Sequence, residues 1–510
     1  MYIQPQTNIR LLNNVPLDTT YEHTIYFGSS TDQYNYFITK QKYNLTNYSY
    51  QRVNKGICRV GIPADNIYDC NYMMFQNTAY GNKWFYAFIT AIEFVNNETS
   101  EITFELDVMQ TWFFDYSVDN CFVEREHSTT DNLFENLVPE NLELGDYIIS
   151  SSQVQSMGSM SICVLTSKTS DGSAPTGRTI NHIYTPLNVI AGVSADDAAS
   201  INALLQNFVG EGQEDAIITL YQYPDWLGDA ETTTPATQTL QLTPNFSSID
   251  GYTPKNKKLF SYPYTMLVVS NNNGDTAEYR WEQFESPEAG CSFNFTGVFI
   301  STPCVLAYPV SYRGLAYDYD SGITMSNFPQ VPWSGDTFKA WLAQNKGTIA
   351  TSLLSTVMGA GLTVAGVGTG NPLAVAGGLL SVGDNVGNIL GKTVDAKNTP
   401  PQVHGQVQCD SLNAGMSRFQ FSFYYTNIRS QFARIIDDYF TMFGYATKRV
   451  KTPNRNARPH WNYVKTIGCV VSGSVPADDM KKICRIYDAG ITFWNNASEI
   501  GDYSLDNSPS

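Results

Sequence analysis

KWFYAFITAIEFVNNETSEITFELDV, Lys83 to Val108, decides how this chain is built. From Lys83 to Asn96 it is aromatic and β-branched, which suits a pleated, half-buried surface. NETS is a polar turn. Ile102, Phe104, Leu106 and Val108 then alternate with Thr103, Glu105 and Asp107, the period-two pattern of a strand with one buried face. The stretch predicts a β-hairpin. Around it, the first ~125 residues read as strands and turns throughout.

Composition agrees. Of 510 residues, 13% are aromatic and only 15% are charged, with Asn, Thr, Ser and Gly filling the remainder. That mixture favours strands and turns over long helices. The net charge of −17 argues against tight nucleic-acid binding, because phosphate contacts need Lys and Arg. An acidic wall would instead let a polyanion slide past. The nine cysteines show no Cys-x-x-Cys spacing, so they are expected to be reduced, mostly buried thiols. The five histidines show no metal-ligand spacing, and no cofactor motif is present. The N-terminal MYIQPQTNIRLLNNVPL lacks an apolar signal core, which gives an expectation of cytoplasmic synthesis.

A few helices interrupt the strands. SADDAASINALLQNFVGEG has Ser194 and Asp197 in capping-box spacing, with Ile201, Leu204, Leu205 and Phe208 on one face and Gly210 as the stop. SGDTFKAWLAQNK (334–346) reads as a helix with Asp336 near its cap. NIRSQFARIIDDYFTMFG places Phe432, Ile435, Ile436, Tyr439, Phe440 and Phe443 on one face, ended by Gly444. PADDMKKICRIYDAG reads as a shorter helix with Pro476 in its first turn and Gly490 as the stop. CSFNFTGVFISTPCVLAYPV, RFQFSFYYT and ITFWNN read as strands, the last followed by a polar tail.

GTIATSLLSTVMGAGLTVAGVGTGNPLAVAGGLLSVG, Gly347 to Gly383, is unlike everything else. It carries no charge between Lys346 and Asp384. Gly368 to Pro372 is turn chemistry, so each half is about 20 residues, ~30 Å if helical and close to one hydrocarbon thickness. The first half presents Gly347, Leu353, Leu354, Val357, Met358, Leu362, Val364 and Val367. Gly370 and Pro372 belong to the turn, and Leu373, Val375, Leu379, Leu380 and Val382 follow. Gly366/Gly370, Gly383/Gly387 and Gly387/Gly391 have the spacing that lets apolar helices approach in lipid. Three readings compete. A buried core hairpin is opposed by the helix cost of glycine, ~1 kcal/mol each relative to Ala. A constitutive anchor conflicts with the polar, strand-rich remainder. A concealed segment, sheltered in an oligomer and released into a membrane on cue, suits the scarcity of bulky side chains.

Several motifs resemble one family. YMMFQNTAYGNKWFYAFIT (Tyr72–Thr90), FELDVMQTWFFD (Phe104–Asp115), CFVEREH (Cys121–His127), RVKTPN (Arg449–Asn454), WNYVK (Trp461–Lys465) and DAGITFW (Asp488–Trp494) closely resemble, in order, the distal tail or tail knob proteins of small short-tailed phages that infect Gram-positive bacteria. The resemblance covers both ends and the apolar segment, and leaves about 130 to 290 unrecognised. It implies an α+β, β-rich fold with β-barrel-like tail-tube domains built from the N- and C-terminal parts. It also implies an inserted domain and a long apolar Gly-rich loop. The expected parts are 1–125 and 291–345 (tube-forming), 126–290 (inserted, facing outward), 346–400 (apolar membrane-active loop) and 401–510 (C-terminal tube-forming). The implied assembly is a homohexamer at the tail tip, joined to an upper tail or lower collar protein and made in the host cytoplasm. Its loops would plug the lumen and then penetrate the host cytoplasmic membrane, with phage DNA passing through without tight binding.

Enzymatic readings also have residues. Glu124 and Glu126, two apart in a strand, would share one face about 7 Å apart, within the range of glycosidase carboxylates. Cys121 and His127 offer nucleophile and base types. The basic KRVKTPNRNAR (Lys448–Arg458) reads as a solvated face or an inter-subunit salt-bridging loop before it reads as a DNA contact. The leading expectation is a non-enzymatic structural tail protein with a membrane-active loop. A tail-associated cell-wall hydrolase, or a receptor-binding module in 130–290, stands as the alternative.

Overall fold

Strands carry the fold because alternating aromatic and β-branched residues recur along most of the chain. In a computed structural model, the structure describes residues 6–48, 56–180, 183–195, 197–228, 236–300, 302–313, 318–326, 328–332 and 419–509. The Lys83–Val108 hairpin is present: Phe85–Asn96 pairs antiparallel with Thr99–Leu106, and the turn is confined to Asn97 and Glu98. Val108 leaves the strand. Asp107 accepts from the Met109 and Gln110 amides, both at 3.0 Å, and so caps a short helix, Val108–Thr111. An aspartate that satisfies two orphan amides converts strand to helix within one residue.

The chain divides into two units. The first gathers the residues up to Gly145, Gly251–Ser261, and those from Arg429 onward. The second takes Asp146–Asp250 and the described residues between Tyr262 and Ile428. The sequence reading set its divisions at 125/126, 290/291, 345/346 and 400/401.

In the first unit a six-stranded sheet runs in the order Gln41–Tyr48, Thr7–Asn13, Cys70–Asn77, Phe85–Asn96, Thr99–Leu106, Ile57–Val60. A five-stranded sheet runs His23–Ile25, Ile491–Trp494, Trp461–Ile467, Cys121–Glu126, Tyr445–Lys451. The Cys121–Glu126 strand, interior to this sheet, therefore lies between two strands from the far end of the sequence. One core joins both ends: Leu12, Phe37, Tyr72 and Phe88 pack in one cluster with Val464, Ile483, Tyr487 and Phe493. Phe37, on a helix Ser30–Thr39 capped by Ser29, stacks on Tyr72 with ring centroids 5.2 Å apart. Such pairs add ~0.5–1.5 kcal/mol beyond their buried area.

In the second unit a sheet of Tyr147–Ser156, Gln420–Ile428, Thr265–Ser270 and Thr276–Tyr279 faces one of Thr237–Leu242, Cys291–Val298, Cys304–Pro309 and Ile323–Met325. Alternation makes the interface: Phe293 meets Phe423 at 5.0 Å and Phe295 meets Phe421 at 5.5 Å. A third sheet, Asn188–Ser194, Met160–Thr166, Ile217–Pro224 and Gln330–Pro332, carries the Ala198–Gly210 helix through Ile201, Leu204, Leu205 and Phe208. The helix cap is Asp197, whose carboxylate accepts from the Ser200 amide at 3.0 Å, and not Ser194. Of the described cysteines, Cys58, Cys70, Cys121, Cys163, Cys291 and Cys469 are buried free thiols, and Cys304 and Cys484 are half-buried.

The C-terminal helices form where the periodicity places them, Ser430–Phe443 and Ala477–Ala489. The first is rotated from the expected face. Ala433, Ile436, Asp437, Phe440 and Thr441 are buried, while Ile435 is 66% exposed. Pro476 serves as the cap of the second, one position before its first turn.

Gly444 ends the first helix at φ 66° and ψ −153°, a region that only glycine adopts readily, and a Cβ there would overlap the Glu126 carbonyl. Gly444→Ala should cost about 2–4 kcal/mol from backbone strain plus overpacking. Chemical denaturation reads this directly; an unchanged midpoint would contradict it.

Candidate functional site

The apolar segment Gly347–Gly383, with all its named residues, and the helix expected around Asp336 lie outside the described residues. What the structure gives is how the described residues on either side of it are held. Before the segment, Gln330–Pro332 pairs with Ile217–Pro224 through Tyr221↔Gln330, Leu220↔Val331 and Thr219↔Pro332. After it, Gln420–Ile428 is an interior strand, between Tyr147–Ser156 and Thr265–Ser270. Phe328 and Phe419, the described aromatic residues nearest the segment on either side, are 3% and 6% exposed and lie 5.0 Å apart by ring centroid. The described residues before and after the segment thus meet at one place in the second unit. Both ends are held by pairings that do not use the segment.

The first unit is braced by buried polar groups of a kind that burial permits only when paired. The Glu140 carboxylate, 2% exposed, is held by Lys258, by Arg125 and by the Ala446 amide at 3.1 Å. Arg125 also donates to the Gly444 carbonyl at 2.6 Å and lies 4.6 Å over the Tyr439 ring. Burial pulls the Lys258 ammonium below its usual range, against the Glu140 charge. Asp437 is fully buried. Its oxygens accept from the Tyr252 hydroxyl (2.6 Å), the Lys255 amide (2.7 Å), the Asn256 amide (2.9 Å) and Asn256 Nδ2 (2.9 Å). One carboxylate therefore fixes the 252–256 turn against the Ser430–Phe443 helix.

The sequence-read catalytic candidates are tied into this bracing. The Cys121–Glu126 strand carries a bulge at Glu124: Arg125 pairs Lys465, Val123 pairs Thr466, and Glu124 has no partner in the register. The bulge breaks the expected shared face. Glu124 is half-exposed on Lys465 at 2.9 Å, whereas Glu126 is buried on Lys451 and the Asn454 amide, the latter at 2.9 Å. His127 is 3% exposed. Its Nδ1 accepts from the Tyr463 amide at 2.8 Å, which places the proton on Nε2, donated to the Thr441 carbonyl at 3.1 Å. Both nitrogens are engaged, and burial pushes the Cys121 thiol up, so neither group is set up as base or nucleophile. Among the described residues, no three His, Cys, Asp or Glu side chains gather to hold a metal.

The basic Lys448–Arg458 run is not one solvated face. Lys451 binds Glu126, Arg455 lies over the Phe113 and Tyr116 rings, and Arg458 is buried with Nε on the Ser128 carbonyl at 2.6 Å. Lys448 and Arg449 remain exposed. The polar tail is fastened too. Asn507 Oδ1 accepts from the His460 amide (3.1 Å) and Asn507 Nδ2 donates to the Trp461 carbonyl (2.8 Å). Local sequence offers no signal for this, because an Asn in a polar tail looks the same whether docked or free.

Two β-rich units whose buried polar groups are engaged in bracing suit a structural component, and the comparisons say of what. Residues 5–117 match the N-terminus of the caudoviral major tail protein, and residues 229–508 match the C-terminal domain of the Bacillus phage phi29 tail knob protein gp9. The chain belongs to the family of that tail knob protein, and is a structural component of a podophage tail and so of the virion. It is 26% identical to tail knob protein gp9 of Bacillus phage phi29, with 98% of each chain covered. Tail knob protein gp9 of Bacillus phage B103 is 26% identical, again over 98% of each. The tail knob protein gp12 of bacteriophage C1 shares the fold, with a TM-score of 0.64 at 14% identity over 98% of this chain and 99% of that one. These relatives are structural tail proteins, which implies a non-enzymatic role.

His127 makes the fold sensitive to pH. Burial, reinforced by Arg458, depresses its pKa from 6.5 to about 3. The folded state thus keeps it neutral while the unfolded chain takes up a proton. Its contribution is fully present above pH 6.5 and is lost as pH falls from there toward 3, by a few kcal/mol at about 1.4 kcal/mol per unit. Asp107, pushed up to about 6 by burial, acts with the opposite sign over its own window. Denaturation of the native chain and of His127→Gln across pH 4–8 isolates the histidine. The native chain should lose its advantage over the variant as pH drops below 6.5; parallel profiles would contradict this.

Proposed function

We propose that the chain forms a homohexameric tube at the distal end of the tail. The N- and C-terminal β-rich parts supply β-barrel-like tube walls, the 126–290 region faces outward, and an upper tail or lower collar protein joins the tube to the virion. The apolar segments of six copies plug the lumen, then leave it to enter the host cytoplasmic membrane and open a path for the genome. The net charge of −17 suits a wall along which DNA slides without sticking.

The observation that supports this most is that the described residues on either side of the segment meet, Phe328 against Phe419. A segment inserted between two strands that are paired without it can be sheltered in one state and extended in another. The entropy of closing so long a loop grows only slowly with length. The segment holds no titratable group, so any pH cue for its release acts through its surroundings.

Dye leakage from liposomes tests the proposal. The full chain should release dye across some range of pH, and a chain lacking Gly347–Gly383 should stay folded and release none. Equal leakage from both would overturn the membrane role of the segment.

A further inference from the structure

Three thiols meet in the first unit, although the sequence spreads them widely. Cys121 opens the Cys121–Glu126 strand. Cys469 follows the Trp461–Ile467 strand, just past Gly468, where the backbone turns at φ 68°. Cys484 sits on the Ala477–Ala489 helix. Cys121 and Cys469 are buried in the core cluster that holds Ile483 and Tyr487, and half-buried Cys484 packs against that cluster.

Bonds around them fix the approach. Asp488 stands one helical turn beyond Cys484, so the two share a face. Its Oδ1 accepts from the Cys469 amide at 3.0 Å and from Thr466 Oγ1 at 2.8 Å. That clamps the loop of Cys469 onto the helix face that carries Cys484. The Asp119 amide donates to the Val470 carbonyl at 2.9 Å, and Val118 pairs with Val471, which ties the same loop to the stretch before Cys121. The Cys469 thiol accordingly hydrogen-bonds with both Cys484 and Cys121, and the Val471 amide faces the Cys484 sulfur. The three run in series through Cys469 and do not surround a position that a metal could take. The chemistry open to them is with one another. Access separates them: Cys121 is 4% exposed and paired within a sheet, whereas Cys484 is open to solvent on one side.

We propose that Cys469 and Cys484 form a modification site, which an oxidant of the hydroperoxide class converts to a disulfide that fastens the helix to the end of the Trp461–Ile467 strand. The half-buried Cys484 sulfur attacks the peroxide. The O–O bond breaks, one oxygen stays as the sulfenic acid, and the other leaves as water or an alcohol. The Cys469 sulfur then attacks that of Cys484. The S–S bond forms, the S–O bond breaks, and the departing hydroxide takes the Cys469 proton and leaves as water. Two electrons pass from the two thiols to the peroxide. Burial pushes both thiols up, so little thiolate is present at neutral pH and the bond forms slowly. A virion leaves its host for an oxidising medium, where a slow bond has time to form and persists. Because the bond closes the short loop between Cys469 and Cys484, it restrains the local unfolding of the helix. None of this depends on the oligomer or membrane reading above.

The test exposes the folded full chain to hydrogen peroxide, alkylates the remaining thiols, and maps its peptides without reduction. A linked Cys469–Cys484 peptide should appear, and dithiothreitol should remove it. Amide exchange across Ala477–Ala489 should slow by about tenfold or more on oxidation and recover on reduction. Cys484→Ala should abolish both the link and the slowing, whereas Cys121→Ala should keep both; near-UV circular dichroism verifies that each variant is folded. If a variant does not fold, the native chain decides alone through its linked peptide and its exchange. A Cys469–Cys121 link in place of the expected one overturns the pairing. Thiols that stay free, or a Cys484 that goes on to sulfinic acid without a link, overturn the site. A link that leaves the exchange of the helix unchanged overturns the fastening role.

Discussion

Phe328 against Phe419 is the contact on which the rest of the account depends. The residues are far apart in sequence, yet they meet within the second unit. Both are buried, and each is followed within two residues by a strand with its own partners. The aromatic pair brings ~0.5–1.5 kcal/mol beyond area burial. The strands Gln330–Pro332 and Gln420–Ile428 supply the larger part through their ladders and through Phe421 and Phe423. The fold can thus carry a segment whose own sequence would not choose water.

The first unit solves a different closure problem. Its interior Cys121–Glu126 strand is flanked on both sides by strands from beyond residue 440. The sheet is therefore complete only after nearly the whole chain is made. Carboxylates do the fastening: Glu140 joins Arg125 and Lys258, and Asp437 gathers the 252–256 turn. Polar groups this deep are costly when a partner is removed, because the group left behind is buried and unpaired. Glu126 and His127 are engaged separately, by Lys451 and the Asn454 amide and by the Tyr463 amide and the Thr441 carbonyl, and are poorly suited to chemistry.

Much of the fold was legible in the sequence where information is local. The Lys83–Val108 hairpin, the strands of CSFNFTGVFISTPCVLAYPV and RFQFSFYYT, and the Ala198–Gly210 helix follow from period, turn chemistry and caps. Reading failed where a distant partner decides. Asp437 in RIIDDYF looks like part of a polar face, and only the turn at 252–256 makes it a buried one. Its burial rotates the helix and leaves Ile435 outside. The bulge at Glu124 is set by Thr466 and Lys465, so no alternation within VEREH could disclose it. The apolar segment was conspicuous from its composition. The closure at its base was not, because Phe328 and Phe419 are ordinary aromatics in ordinary strand contexts.

The most direct measurement is amide hydrogen exchange on the chain lacking Gly347–Gly383, compared with the full chain. The account predicts that Gln420–Ile428 and Ile217–Pro224 keep their protection, because their pairings do not depend on the segment. Loss of protection across those strands would contradict it, and would make the apolar segment part of the core that holds the second unit together.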